Sequence, residues 1–202
     1  MQEKGFLAVM TPARPAIKRS RDPQESRRAL LQAAAEIFNS EGYFATDSNR
    51  IARAAGYAPG TFYTHFADKR AIFLAVYEGW VDEEMALVEA ALAGAGDPRA
   101  ALRRFAEAVL GHHRRWRMFR ASLRALYATD AEVHEARLVQ RARQIVQTER
   151  LLAPNADRAA ILTSMLLFEV LCDALADGDV AALGVEEAPL IDRLVEELEK
   201  LV

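Results

Sequence analysis

Cysteine is almost absent from this chain of 202 residues, and long apolar runs are missing with it. Cys172 is the single cysteine, so an intramolecular disulfide is excluded and a reducing compartment suits the chain. No stretch approaches about 18 uninterrupted apolar residues, so we expect no membrane span. The early apolar run at 6–10 is too short for a signal peptide. These absences predict a cytoplasmic protein.

Motifs for catalysis are missing as well. The chain has no Walker loop, no dinucleotide-binding glycine fingerprint, no cysteine-rich zinc pattern and no serine elbow. His112 and His113 are adjacent, so on a helix they point in different directions and make a poor metal pair. We therefore predict no enzyme, no cofactor and no metal site.

Residues that break helices or favour strands are few. The chain has 10 Gly and 7 Pro, and Ala, Leu, Arg and Glu outnumber the β-branched residues. This composition predicts an all-α fold. Hydrophobic residues make up 51% and charged residues 27%, which is typical of a globular protein and not of a disordered one.

Charge is divided unevenly along the chain. Residues 1–70 contain 11 Lys or Arg and 7 Asp or Glu, whereas residues 71–202 contain 15 and 22. A basic N-terminal third before an acidic remainder is typical of a DNA-binding head on a regulatory body. Residues 1–21 lack periodicity, and we predict a disordered basic arm that either follows DNA phosphates or is a solvated tail.

The most informative stretch is DSNRIARAAGYAPGTFYTHF, residues 47–66. It predicts two short helices around a tight turn, because Asp47 can cap the first helix and Gly56 can end it. Pro59 suits the first position of the second helix, where a missing N–H costs nothing.

The second of these helices has two different faces. A rotation of about 100° per residue turns Phe62 and Phe66 inward. The outward face is small, forms hydrogen bonds and has no acid, and it consists of Gly60, Thr61, Tyr63 and Thr64. Such a face suits a DNA groove, and the alternative is a solvated turn between core helices.

These residues resemble the DNA-binding signature of the tetracycline-repressor-like (TetR) family, over about residues 24–75. The matching positions are Thr46, Ile51, Ala52, Ala55, Gly56, Gly60, Thr61, Tyr63, His65, Phe66 and Lys69. Three positions depart from the family pattern: Ser48, Tyr57 and Ala58. Ala58 removes a usual helix cap.

The resemblance implies a role for each matching side chain. Residues that hold DNA phosphates are expected at Thr46, Tyr63, His65 and Lys69. Those nearest the bases are expected to be Gly60, Thr61 and Thr64. We also predict contacts from the first helix of the pair, at Ser48, Asn49 and Arg50.

Helix signals divide the rest of the chain. A helix from Asp22 to Glu41 completes a three-helix head at 22–68. A long helix from Lys69 to Ala93 connects this head rigidly to a helical body at 69–202. Further helices are predicted at 97–114, 130–152, 155–177 and 187–201. Lys69 opposes the dipole at its helix start, which suits a lysine bound to an external phosphate.

The last two long helices are apolar enough to need a partner. The helix at 155–177 is apolar nearly all round, so one face suits the subunit core and the other a second subunit. In the family that the head resembles, the final two long helices form the dimer contact. We predict a homodimer through Leu162, Leu166, Val170, Leu190, Leu194 and Leu198.

A ligand pocket is predicted in the body, beside the long helix. Its apolar lining is predicted to be Trp80, Phe105, Trp116, Phe119, Tyr127, Met165 and Phe168. Possible polar contacts are His112, His113 and Glu169. The alternative is that these side chains form ordinary core. The eight arginines at 99–124 are either paired with acids or solvated, or one or two of them line an anion site.

Together these features predict a ligand-responsive repressor. We expect a homodimer that binds a palindromic DNA operator and is released by a small, largely hydrophobic effector. The alternative is a helical small-molecule-binding or protein-interaction module with a vestigial helix-turn-helix.

Overall fold

The computed structural model describes residues 22–93, 96–152, 154 and 156–201, and every regular element in these ranges is helical. The α-helices are α1 Pro23–Ser40, α2 Ser48–Ala54, α3 Pro59–Tyr63, α4 Lys69–Leu92, α5 Pro98–Arg115, α6 Arg117–Tyr127, α7 Ala131–Leu151, α8 Arg158–Asp177, α9 Asp179–Ala182 and α10 Glu187–Glu199. A 3₁₀ turn, Tyr43–Ala45, joins α1 to α2. The all-α prediction is confirmed. The predicted arm at 1–21 lies outside the described residues.

Aspartate side chains set the starts of most helices. Carboxylates that accept a first-turn backbone N–H belong to Asp22, Asp47, Asp68, Asp97 and Asp130. The start of α8 differs from the prediction, because Asp157 caps it and accepts from the Ala160 N–H at 2.8 Å. Residue 155, where this helix was predicted to begin, lies outside the described residues. Asn and Asp are about equally good caps, so the Asn at 155 did not reveal that the helix starts after Asp157.

The head forms around a shared apolar centre. Leu30 of α1, Ile51 of α2 and Phe62 of α3 are fully buried, and Phe66 is nearly so. The predicted inward face of α3 is therefore confirmed. Gly42 follows α1 with φ +85°, a conformation that strains residues with a side chain.

One apolar core continues from the head into the body. Phe73 of α4 lies 4.9 Å from Phe119 of α6 between ring centroids, and both pack in one cluster with Phe38 and Phe62. A second core joins α5, α8 and α10, and Leu92 near the end of α4 packs against it. Helix α4 thus contacts both cores. The domain boundary between residues 68 and 69 stays a prediction.

By length and apolar composition, α8 is the one helix of the described residues that would suit a membrane span. No membrane span was expected because the chain has no long uninterrupted apolar run, and Glu169 and Asp173 do interrupt the apolar sequence of α8. Both carboxylates pair with Arg120 of α6. These buried ion pairs favour packing of α8 as a helix of the protein core.

Candidate nucleic-acid interface and ligand cavity

The helix-turn-helix forms as local signals predict. Asp47 accepts a hydrogen bond from the Arg50 N–H at 2.8 Å and caps α2. After α2, Gly56 takes the left-handed conformation at φ +82°. Pro59 occupies the start of α3, whose capping position, Ala58, forms no side-chain hydrogen bond.

The outward side of α3 is open to solvent. Gly60, Tyr63 and Thr64 are exposed, and Thr61 is half-buried. The Tyr63 side chain is the largest of these, and this residue is 56% exposed. The Thr64 hydroxyl donates to the Thr61 carbonyl at 2.7 Å, which leaves its oxygen lone pairs to accept. These four residues form one contiguous surface, here called the α3 face.

Several other predicted DNA contacts are buried or have partners within the protein, although the buried Thr46 hydroxyl has no hydrogen-bond partner among the described residues. Thr46 and Ser48 are buried, whereas Asn49 is exposed. Arg50 donates to Glu41 at 2.6 Å. His65 has Nε2 within hydrogen-bond distance, 2.7 Å, of the hydroxyl oxygen of a serine in α1, Ser26.

Lys69 also has internal partners. Its ammonium donates to the carbonyl of Tyr43 at 2.9 Å and to that of Thr46 at 2.8 Å. The same nitrogen lies 4.0 Å from the centroid of the Tyr43 ring. Burial lowers the pKa of Lys69. An ammonium has three N–H donors, so one remains beyond the two carbonyls. Lys69 therefore has partners within the protein, and its contact with a DNA phosphate stays a prediction.

Phe44 is an exposed aromatic side chain that the sequence did not place at the predicted interface. Phe44 is 68% exposed in the turn before α2, whereas its neighbour Tyr43 packs against Phe38 and Phe73. Its position two residues before Thr46, a predicted phosphate contact, is the available signal that it lies near the predicted interface.

A cavity lies between α4, α5, α7 and α8. Its main part has a volume of about 80 Å³ and is lined by Glu84, Met85, Val88, Phe105, Val109, Arg141, Gln144, Gln147, Thr148, Leu152, Met165 and Phe168. A smaller part of about 40 Å³ shares five of these residues and extends to Trp80, His113 and Glu169. The predicted pocket residues on these walls are Trp80, Phe105, His113, Met165, Phe168 and Glu169.

The other predicted pocket residues lie elsewhere. Phe119 is buried in the head-side core, with Trp116 against it at 5.6 Å between ring centroids. The guanidinium of Arg137 covers the ring of Tyr127. His112 stacks on Trp80, and its Nε2 donates to the Trp80 carbonyl at 3.2 Å. The predicted end of the helix at residue 114 agrees with the end of α5 at Arg115, but helix α6, Arg117–Tyr127, was not predicted, and it carries Phe119 into the head-side core.

Sequence reasoning missed the contribution of α7 to the cavity. Arg141, Gln144 and Gln147 line it, although α7 is polar and was not considered. Gln140 and Gln147 are both buried and lie seven residues apart. Two glutamines at that helical spacing were the available signal of a buried polar stripe.

An ion-pair network closes the head side of the cavity. Arg120 is buried and donates to Asp173 at 2.7 and 2.8 Å and to Glu169 at 3.1 Å. Burial alone would raise the pKa of the Glu169 carboxyl, but Arg141, Arg120 and Arg137 outweigh this effect and lower it. Burial alone would likewise raise the pKa of Asp173, but hydrogen bonds from His113 and Arg120 hold it well below its usual range. Arg120, one of the eight arginines at 99–124, is therefore paired with acids and does not present a free charge to an anion.

The predicted dimer residues divide into two groups. Val170 and Leu166 of α8 are exposed, and Leu162 is half-buried. In contrast, Leu194 and Leu198 of α10 are buried by their own chain, and Leu190 packs against the same core. Leu194 and Leu198 therefore belong to the core of the protomer.

The described residues contain no group of three His, Cys, Asp or Glu side chains placed to hold a metal ion.

Comparison with known proteins matches residues 30–76 to the family described as bacterial regulatory proteins, tetR family. The HTH-type transcriptional activator FasR of Mycolicibacterium smegmatis is 39% identical over 90 residues, which are 44% of this chain and 41% of that protein. The HTH-type transcriptional regulator AcrR of Shigella flexneri is 36% identical over 61 residues, 30% of this chain and 28% of that protein. The matched stretch thus spans less than half the length of either relative.

The fold extends beyond the matched domain. A TetR-like transcriptional regulator from Rhodococcus sp. RHA1 superposes with a TM-score of 0.60 at 22% identity. The superposition covers 89% of this chain and 96% of that chain. The head and the helical body therefore share the fold of that protein.

Proposed function

By its N-terminal domain the chain belongs to the TetR family of bacterial regulatory proteins, and we propose that it is a cytoplasmic, sequence-specific DNA-binding regulator of transcription. The α3 face is the observation that carries this proposal. It presents Gly60, Thr61, Tyr63 and Thr64 to solvent on a helix that the buried Phe62 and Phe66 hold in place. A helix with such a face can enter the major groove and contact base edges.

We assign different roles to the residues of the interface. Thr61 and Thr64 contact bases, and the backbone at Gly60 approaches them closely. The exposed Tyr63 hydroxyl donates to a phosphate, and the third N–H of Lys69 does the same. Phe44, Asn49 and Arg50 border the DNA backbone. His65, which follows α3, acts from within the head through its contact with Ser26 of α1. Thr46 and Ser48 are buried at the start of α2.

The active form in this proposal is a two-fold homodimer on a palindromic operator. The exposed part of α8, with Leu166, Leu167 and Val170, provides an apolar surface for a second copy. Two recognition helices on one face of DNA must lie about 34 Å apart, one helical repeat. A two-fold axis through this surface would relate the two heads and the two operator halves.

Control is proposed to work through α4. Lys69, in the first turn of α4, donates a hydrogen bond to the Thr46 carbonyl in the head, whereas Met85 and Val88 of the same helix line the cavity. A ligand that enters the cavity would shift α4 and alter the spacing of the heads. We propose that ligand binding releases the protein from DNA. Coupling of about 1–3 kcal/mol would lower the affinity for DNA roughly 5- to 150-fold when the ligand binds, and bound DNA would lower the affinity for the ligand by the same factor.

Selection of random duplexes for binding to the purified protein tests DNA recognition. We expect an enriched palindrome, whose affinity falls steeply as salt rises because phosphate contacts release counterions. Tyr63→Phe should weaken binding to all duplexes alike, and Thr64→Ala should alter base preference.

Matched controls exist for both variants. Thr129→Ala removes another exposed threonine hydroxyl, one that donates to the Ala125 carbonyl of α6 at 3.0 Å, and Tyr127→Phe removes a phenol at the end of α6. Both should bind the selected duplex as the wild type does. If no duplex is enriched at low salt, the head does not recognise DNA.

A further inference from the structure

Helix α6 of the body holds the head through a side chain that the proposed interface does not include. The hydroxyl of Ser122 accepts a hydrogen bond from the Tyr43 N–H at 2.9 Å and donates to the Met118 carbonyl, four residues earlier, at 3.1 Å. Ser122 is buried, so little water can replace it as an acceptor. Tyr43 begins the 3₁₀ turn between α1 and α2. The body therefore fixes the turn that leads into α2.

A second polar contact joins α1 to the break between α5 and α6. The Asn39 side chain donates to the Arg115 carbonyl at 2.6 Å, and its Oδ1 lies 3.5 Å from the Phe119 nitrogen. Trp116, at the capping position of α6, forms no side-chain hydrogen bond, so Asn39 serves an N–H that a capping side chain would otherwise serve. Two separate contacts thus hold α6 against the head.

Helix α6 is itself firmly anchored in the body. Arg120, two residues before Ser122, is buried and donates to Asp173 of α8 at 2.7 and 2.8 Å. Phe119 and Leu123 are buried in the head-side core. A hydroxyl on such a helix holds its partner at a defined position, because the helix is not free to follow a movement of the turn.

The same turn holds Lys69. The ammonium of Lys69 donates to the carbonyls of Tyr43 and Thr46, at 2.9 and 2.8 Å. Ser122 binds the N–H of Tyr43 and Lys69 binds its carbonyl, so the turn is held between α6 and α4. In the proposed function the third N–H of Lys69 donates to a DNA phosphate. The position of this donor therefore depends on the turn that Ser122 fixes.

We infer that Ser122 is a positioning residue for DNA binding: it is buried away from DNA and fixes the turn that places the Lys69 ammonium and the start of α2 at the phosphate backbone. This inference rests on the proposed function, because it names the residue of the body that holds that interface in place. When the turn is free to move, only a fraction of the heads is competent, and the apparent affinity falls by that fraction. Base preference is unchanged, since Thr61 and Thr64 stay on α3.

Ser122→Ala tests the inference by removing the acceptor of the Tyr43 N–H. With the duplex obtained by selection, we expect the affinity to fall roughly 3- to 10-fold, the effect of one lost hydrogen bond. The slope of log affinity against log salt should become shallower by up to about one, because the Lys69 contact with a phosphate is weakened. The order of preference among duplexes should stay that of the wild type. Hydrogen exchange of the Tyr43 amide should become faster.

Controls separate positioning from stability. Thr129→Ala removes a hydroxyl that also donates to a carbonyl of α6 four residues earlier, at 3.0 Å. Val195→Ala removes two methyl groups from the second core and lowers stability without touching the head. Both should keep the wild-type affinity and salt dependence at a temperature where circular dichroism shows every variant folded. Ser122→Cys keeps a weaker acceptor and should fall between wild type and Ser122→Ala, and it replaces the alanine variant if that one does not fold.

The outcomes distinguish this inference from the proposed function. If a duplex is enriched and Ser122→Ala binds it with wild-type affinity and salt dependence, the proposed function stands and the role of Ser122 is wrong. An equal loss of affinity in Val195→Ala also overturns the inference, because the effect would then be one of stability. If no duplex is enriched, the wild-type protein itself contradicts the proposed function, and the inference fails with it.

Discussion

At Gly60 the fold does not require a glycine, whereas the proposed DNA interface does. It lies in the first turn of α3 with open space where a Cβ would stand, and its backbone is not in the left-handed region. The protomer itself therefore does not require glycine at this position. Close approach of the α3 backbone to DNA does explain it.

Gly60→Ala should stabilise the head and weaken DNA binding. Alanine in a helix is favoured over glycine by about 0.5–1 kcal/mol, because glycine loses more conformational freedom on folding. Urea unfolding measures the gain, and titration with the selected duplex measures the loss. Gly111→Ala in α5, which also has open space around it, is the control. It should be stabilising without any change in DNA affinity, and an equal DNA effect of both variants would contradict the assignment of Gly60.

Asp173 joins three elements through its half-buried carboxylate. It accepts from Arg120 of α6 and from His113 of α5, while lying on α8. A buried ion pair contributes little over a well-packed apolar pair, but loss of Asp173 would leave the buried Arg120 paired only with Glu169, which already pairs with Arg137 and Arg141. The carboxylate is therefore needed once Arg120 is present.

Asp173→Asn should lower the free energy of unfolding by about 3–5 kcal/mol at neutral pH. The folded-state pKa of Asp173 lies below its ordinary value of about 3.9, so its contribution is complete above that pH. As pH falls through the lowered pKa the carboxylate gains a proton, and the difference between wild type and variant should shrink. Thermal melts from pH 7 to pH 2 measure this convergence. Asp179→Asn at an exposed site is the control, and a difference independent of pH would contradict the account.

At the level of elements, α3 is short and its start is weakly held. Ala58 occupies its capping position without a side-chain hydrogen bond, whereas Asp47 caps α2 at 2.8 Å. The helix persists because Phe62 and Phe66 are buried and Pro59 presets its first turn. Tertiary packing thus replaces a local cap.

Ala58→Ser should add the missing cap and stabilise the protein by about 1 kcal/mol. The serine oxygen would accept a first-turn N–H that Ala58 leaves without a side-chain partner. Urea unfolding measures the gain. Glycine is only slightly poorer than serine as a cap, so Ala58→Gly should give nearly the same result. A loss of stability with serine would show that the half-buried Ala58 is needed for packing.

At the level of the whole molecule, α8 has two different environments. Ile161, Phe168 and Cys172 are buried within the protomer, whereas Val170 is 65% exposed on another face. An exposed apolar strip on a helix is typical of an association surface. Leu194 and Leu198 of α10 are buried within the protomer, so the proposed dimer contact is formed mainly by α8 and not by both helices.

Val170→Lys should separate the proposed dimer into folded monomers, because a charge would be buried without a partner at the two-fold contact. Light scattering measures the mass and circular dichroism the fold. Leu183→Lys, at an exposed leucine beyond α8, should leave the mass unchanged. Leu194→Lys should instead unfold the chain, because Leu194 is buried by its own protomer. A wild-type protein that is monomeric at micromolar concentration would contradict the dimer.

Local chemistry was enough to predict most of the helices and the outward side of α3, although α6 and α9 were missed. A cap such as Asp47 acts on an N–H three residues away, and Phe62 and Phe66 are one helical turn apart. These signals lie within a few residues, so they are visible in the chain itself. The cavity was predicted only in part, because Glu84, Arg141 and Phe168 come from three helices that meet only after packing. Trp116 and Leu194 were misplaced for the same reason: helical spacing shows which side of a helix is apolar, but the neighbour that covers it is decided by the tertiary fold.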